Sequence, residues 1–155
     1  MQKIAENTYR SASPKETQAF GAALWRALAP GSVVALYGAM GAGKTVLAQG
    51  FARALGTGAA VTSPTYTLLH IYEGARGMLY HFDLYRLESP EQVPDIGFWD
   101  YAGAVDGVTL IEWPQRLGEE LPADRLDVHI EKEGENIRVF RLEPAGAQTL
   151  GEIAL

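Results

Sequence analysis

The chain has 155 residues, 47% hydrophobic and 21% charged, which is the composition of a folded globular protein and not of a disordered segment. It has no cysteine, so disulfide frameworks, thiolate metal sites and cysteine nucleophiles are excluded. Lys and Arg number 13 against 19 Asp and Glu, a net charge of −6 that argues against a bulk electrostatic grip on nucleic acid.

Met1 to Glu6 lacks the apolar stretch of a signal peptide and carries an acid early. No apolar run approaches the roughly 18–20 residues of a membrane span. A cytoplasmic protein without membrane partners is expected, built as one domain over 1–155 with a loosely held tail from about Ala145. The first element begins at Ser13, where Ser13-Pro14-Lys15-Glu16 places Ser at N-cap, Pro at N1 and Glu at N3. Phe20, Ala23, Leu24, Ala27 and Leu28 continue at helical spacing, and Pro30-Gly31 stops the helix. Val33 to Tyr37 reads as a buried parallel strand. After a glycine-rich turn, Lys44 to Leu55 reads as a helix closed by Gly56.

Thr65 to Tyr72 and Met78 to Phe82 read as strands of a hairpin with the five-residue loop Glu73 to Gly77. Ser89-Pro90-Glu91-Gln92 repeats the capping pattern and predicts a short helix. Val108 to Ile111 is a further buried strand. Leu126 to Glu131 and Ile137 to Leu142 read as a second hairpin around Lys132 to Asn136. The fold class is α/β, with parallel strands and added hairpins.

Gly38-Ala39-Met40-Gly41-Ala42-Gly43-Lys44-Thr45 matches the phosphate-binding loop G-x-x-x-x-G-K-[ST]. Glycines let backbone N–H groups approach phosphates, and a helix starting near Gly43 adds its positive dipole end. Lys44 supplies a mobile charge for the β- and γ-phosphates, and the Thr45 hydroxyl is placed to ligate Mg²⁺. Gly38, Gly41, Ala42, Gly43, Lys44, Thr45 and Val46 are therefore the candidate nucleotide-binding residues, with ATP and Mg²⁺ as ligands. A metal partner is sought at the end of a neighbouring strand. Asp83 ends Met78 to Asp83, and Glu112 ends Val108 to Glu112. Glu112 follows the more apolar strand and is preferred. Ser63-Pro64-Thr65-Tyr66 offers hydroxyls for sensing a γ-phosphate, or is a plain turn. His81, Asp83 and Tyr85 would share one face if extended, or form a polar sheet edge. His70, His81 and His129 lie far apart in the chain, without metal-ligand spacing. Trp25 and Trp99 read as packing residues, and Trp113, directly after Glu112, as lying near the nucleotide or in ordinary packing.

Four strings in order, Gly41-Ala42-Gly43-Lys44-Thr45, Ser63-Pro64-Thr65-Tyr66-Thr67-Leu68, His81-Phe82-Asp83-Leu84-Tyr85-Arg86 and Ile111-Glu112-Trp113-Pro114, resemble the bacterial ATPases of tRNA threonylcarbamoyladenosine biosynthesis, the TsaE (formerly YjeE) family. The resemblance runs over roughly Glu16 to Gly146. It implies a P-loop NTPase-like three-layer fold with a mostly parallel central sheet. It implies a magnesium-dependent ATPase, slow alone, in which Lys44, Asp83 and Glu112 are catalytic. Thr45 and Glu112 would hold the metal, Asp83 would lie near the metal and catalytic water, and Ser63, Pro64, Thr65 and Tyr66 would form a switch. The implied partners are the threonylcarbamoyl-transfer proteins, with tRNA engaged indirectly. Ala39-Met40 stands where that family usually has Asp-Leu, and Val46 replaces a usual second threonine.

A small-molecule P-loop kinase is the alternative, but Arg86 is the only motif arginine near the site and no lid is evident. A guanine-reading N-K-x-D motif is impossible, because Asn7 and Asn136 are the only asparagines and neither precedes Lys.

Overall fold

The computed structural model describes residues 1–58 and 68–155. Its strands are β1 (Gln2–Ala5), β2 (Thr8–Ser11), β3 (Val33–Tyr37), β4 (Leu69–Gly74), β5 (Gly77–Asp83), β6 (Gly107–Glu112), β7 (Arg125–Lys132) and β8 (Arg138–Ala145). They form an 8-stranded sheet in the order β1-β2-β8-β7-β3-β6-β5-β4. The central strands β7, β3, β6 and β5 run parallel, and β1, β2, β8 and β4 add antiparallel edges. This is the P-loop NTPase-like arrangement.

Side chains alternate across the pleat. Val34, Leu36, Leu79, Leu110, Leu126 and Val128 point to the face covered by α1 (Pro14–Ala27) and α2 (Lys44–Leu55). Val33, Tyr80, Phe82 and Ile111 point to the other face. A thin third layer covers that face over β5 and β6: α3 (Phe98–Tyr101) and the 3-10 turns Pro90–Gln92, Pro94–Ile96 and Pro114–Glu120. Among the described residues, no helix is long and apolar enough to cross a membrane.

The α1 N-terminus forms as expected, with Ser13 Oγ accepting from the Glu16 N–H at 3.1 Å. The Glu16 carboxylate reaches back to the Ala12 N–H at 2.7 Å, one residue before the cap, and also pairs with the terminal amine of Met1. That charge-assisted bonding holds its carboxyl below the ordinary range. α1 and α2 cross with backbones in contact. A Cβ on Gly21 would lie 2.5 Å from the Leu47 carbonyl oxygen, and one on Gly50 2.2 Å from that of Gln18. The crossing fixes where α2 begins, and so where the glycine-rich loop ends.

Several boundaries differ from the sequence reading. The β4–β5 hairpin pairs Glu73 with Met78 and Gly74 with Gly77, so its loop is Ala75-Arg76 and not five residues. The first turn after Ser89 is 3-10, with Ser89 Oγ accepting from the Glu91 N–H at 3.3 Å. β1 and β2 carry no strong pattern of their own, and β2 exists as a strand because it pairs with β8. The segment after Ala145 is held at specific points: the Gly151 N–H donates to the Ala27 carbonyl at 2.9 Å, and Leu150 and Ile153 pack on the core.

Candidate functional site

The glycine-rich loop links β3 to α2. Gly43 is the N-cap of α2 with φ +108°, a conformation that L side chains rarely adopt, and Gly41 has φ +77°. The cap offers no side-chain acceptor to the first N–H groups of α2. Those donors and the helix dipole make the start of α2 suited to an anion. Arg138, the first residue of β8, lines the same side of the site and braces the loop. Its Nε donates to the Ala42 carbonyl at 2.9 Å and one terminal nitrogen to the Gly41 carbonyl at 3.2 Å. Its other terminal nitrogen donates to the carbonyls of Gly134, Glu135 and Ile137. One guanidinium thus ties the β7–β8 hairpin tip to the loop and fixes the plane of the Ala42–Gly43 peptide.

Beside the loop opens a cleft of about 510 Å³ lined by Met40, Gly41, Gly43, Lys44, Thr45 and Val46 on one side and by Asp83, Glu112 and Trp113 on the other. Asp83 and Glu112 are register partners at the ends of the parallel strands β5 and β6. Parallel pairing sets the two carboxylates side by side at the sheet edge where α2 begins. Burial raises the Asp83 carboxyl above its ordinary range. The Tyr85 N–H bonded to its Oδ1 at 3.1 Å lowers it, and the neighbouring Glu112 charge raises it further. Glu112 is 3% exposed, and the Nε2 of the fully buried His81 donates to its Oε2 at 2.6 Å. Desolvation lowers the Lys44 ammonium, and the charges of Glu112 and Asp83 partly offset this.

Trp113 has φ +58°, ψ +49°, directly before Pro114. A bulky residue there costs about 1–3 kcal/mol, and a following proline disfavours helical conformations further. The strain places the indole under Lys44, whose Nζ lies 4.4 Å from the ring centroid. Tyr85 packs on the indole at 5.1 Å, with the Arg116 guanidinium 6.0 Å from the Tyr85 ring. Met40, where the resemblance leads one to expect a different residue, is 77% exposed at the rim.

The cleft collects Gly41, Gly43, Lys44, Thr45, Val46, Asp83, Glu112 and Arg86 from the sequence reading. Gly38 and Ala42 do not line it: Gly38 packs against Ile130 of β7, and the Ala42 side chain is buried in the core. Ser63, Pro64, Thr65 and Tyr66 lie outside the described residues. His81 belongs to no polar sheet edge. β5 ends at Asp83, Leu84 turns into the core beneath the third layer, and Tyr85 leaves the strand. Trp25 packs against Phe51 as expected, whereas Trp99 is 51% exposed and meets Phe98 with one edge. The histidines are also closer than their spacing suggests, because antiparallel pairing sets His70 opposite His81. His129 joins Asp127 and Glu143 on the uncovered face of β7 and β8, but Arg125 and Arg141 bind those carboxylates at 2.8 and 2.9 Å. Arg138 carried no motif signal, since it meets Ala42 from 96 residues away.

The resemblance drawn from four strings extends over nearly the whole fold. A model of the family described as "Threonylcarbamoyl adenosine biosynthesis protein TsaE" matches residues 11–140. The tRNA threonylcarbamoyladenosine biosynthesis protein TsaE of Bacillus subtilis is 36% identical over 138 residues, covering 89% of this chain and 85% of that one. That of Treponema pallidum is 46% identical over 112 residues, 72% of this chain and 82% of its own. The crystal structure of Bacillus subtilis YdiB superposes with a TM-score of 0.70 at 31% identity, covering 90% of this chain and 85% of that one. With the matched region running from β2 into β8 and so taking in the glycine-rich loop, both strand-end acids and the arginine brace, the chain belongs to the TsaE family of tRNA threonylcarbamoyladenosine biosynthesis proteins.

Proposed function

We propose that this protein binds ATP with Mg²⁺ in the cleft and hydrolyses it, in the cytoplasm, in support of threonylcarbamoyl transfer to tRNA carried out by partner proteins. One observation carries the reading: a buried lysine at the start of α2 faces two strand-end carboxylates across a cleft walled by the glycine-rich loop. The donor set is all oxygen, the hydroxyl of Thr45 and the carboxylates of Asp83 and Glu112, which suits a hard cation such as Mg²⁺. When bound, Mg²⁺ would supply positive charge against the negative charge that develops on the phosphate during hydrolysis.

The backbone of the loop and the first turn of α2 cradle the phosphates, and Lys44, held over Trp113, meets the β- and γ-oxygens. Thr45 and Glu112 would hold the metal. Asp83 orients the attacking water, and its raised affinity for protons makes it a better acceptor than an ordinary aspartate. Geometry set partly by partners keeps turnover by the isolated chain slow. The chain's charge of −6 leaves tRNA to those partners.

The test is an ATP hydrolysis assay with and without the threonylcarbamoyl-transfer proteins. Slow release of free phosphate alone and a changed rate with partners are expected. Phosphate transferred to a small-molecule acceptor would assign the protein to the kinases instead.

A further inference from the structure

The buried His81 is not accounted for by the reading above. It lies on β5 with 0% exposure, facing the helical side of the sheet among apolar neighbours such as Leu79 and Leu110. Only one of its ring nitrogens is used. Nε2 meets Glu112 Oε2 at 2.6 Å, and Nδ1 is buried with no hydrogen-bond partner among the described residues. A buried orphan acceptor is destabilising, and a leucine at this position would avoid it. The residue is therefore poorly explained by packing and well explained by its one bond. A carboxylate only accepts, so Nε2 carries the proton.

We infer that His81 is a positioning residue: by donating Nε2–H to Glu112 Oε2 it locks the carboxylate rotamer and leaves Oε1 as the oxygen presented to the metal. The reach of the bond explains its strand position. β5 and β6 are parallel neighbours with His81 level with Leu110, two residues before the Asp83–Glu112 pair. Glu112 and His81 therefore project from the same face, and the imidazole spans the offset along the strands. An unanchored glutamate has three side-chain torsions to order on binding a cation, whereas one held at Oε2 has little left to lose. The bond also satisfies one oxygen of a nearly fully buried carboxylate.

The inference rests on the proposed Mg²⁺ site, and its test separates the two. Mn²⁺ replaces Mg²⁺, and its affinity for the ADP-bound protein is measured by the electron paramagnetic resonance signal of free Mn²⁺. ADP affinity in EDTA is measured in parallel. Gln at position 81 can place an amide N–H where Nε2 stands, and Asn cannot reach it. His81→Gln should keep Mn²⁺ affinity within about threefold, and His81→Asn and His81→Leu should lose about 10–100-fold. ADP affinity in EDTA should stay within about twofold in all three. A His81→Leu protein that binds Mn²⁺ like wild type would overturn the inference, as would equal losses for Gln and Asn accompanied by weaker ADP binding. Wild-type protein that binds Mn²⁺ no better than Glu112→Gln would instead sink the metal site itself. A measurement on unaltered protein stands apart from any folding defect. In ¹⁵N-labelled wild type the His81 ring should show a protonated Nε2, and Mg²⁺–ADP should shift the Nε2–H resonance. A bare Nε2, or a resonance that Mg²⁺ leaves in place, counts against the assignment.

Discussion

The cleft and the uncovered face of β7 and β8 handle charge in opposite ways. On the β7–β8 face Asp127 pairs with Arg125 and Glu143 with Arg141, and at the hairpin tip Glu133 pairs with Arg10. Pairing holds the Glu143 carboxyl below its ordinary range, Arg141 being the largest cause. Among the described residues of the cleft, Lys44 makes no ion pair, Asp83 is pushed up by burial, and the Glu112 side chain is met by His81 alone. The exposed pairs Arg10–Glu133 and Arg141–Glu143 satisfy themselves and contribute little. Desolvated, unpaired groups are kept ready for charges that arrive from outside, and the fold bears a standing destabilisation to hold them.

Removing the cleft's one buried cation is the largest break in this contrast. Lys44→Ala should lower turnover by about 10²–10³-fold through lost transition-state stabilisation, and nucleotide binding by about 1.5–3 kcal/mol. Its melting temperature should not fall. Phosphate release at the wild-type rate from folded Lys44→Ala would remove the lysine from the mechanism.

Arg138 comes next, because it holds the loop without lying among the acids. Arg138→Met should weaken ADP binding about 3–10-fold and loosen the hairpin tip, because it removes the guanidinium's two hydrogen bonds to the loop and its three to the tip. Isothermal titration with ADP, alongside hydrogen exchange at residues 133–137, reads both. Unchanged affinity would mean that the loop keeps its shape unaided.

Asp83 gives a pH test with a definite sign. A carboxyl raised in the folded state binds its proton more tightly folded than unfolded. Its destabilising contribution is therefore absent below the ordinary value of 3.8 and appears as pH rises through the folded value. Asp83→Asn should raise the melting temperature of the nucleotide-free protein at pH 7 by about 1–3 °C, an effect limited by solvent screening at a partly open group. The advantage should shrink as pH falls toward 3.8. A variant less stable than wild type at pH 7 would contradict the standing cost of the cleft.

The smallest effect is expected on the paired face. Arg141→Ala should change stability by less than about 0.5 kcal/mol and leave ATP hydrolysis unchanged. A larger loss in chemical denaturation would show that the β7–β8 ladder supports the fold more than exposed pairs usually do.

Local signals were legible from the chain itself wherever the physics is local. Ser13 and Glu16 cap α1 within four residues, Gly43 and Gly56 bound α2 at positive φ, and the continuous apolar run Val33 to Tyr37 makes a buried strand. The glycine-rich loop was readable from fixed residue types at fixed spacing, and the two acids from their place at the ends of apolar strands. Contacts across the sheet were not. β2 is a strand through its pairing with β8, and His81 is a buried anchor and no sheet edge because β6 sets Glu112 beside it. Arg138 reaches the loop from the far end of the chain, and Trp113 takes a left-handed conformation that its own residue type disfavours. Each of these depends on which segments meet in space. Hydrophobic periodicity records that a face is buried, but not which partner buries it, so tertiary packing alone decided how the loop is braced and how its acids are aimed.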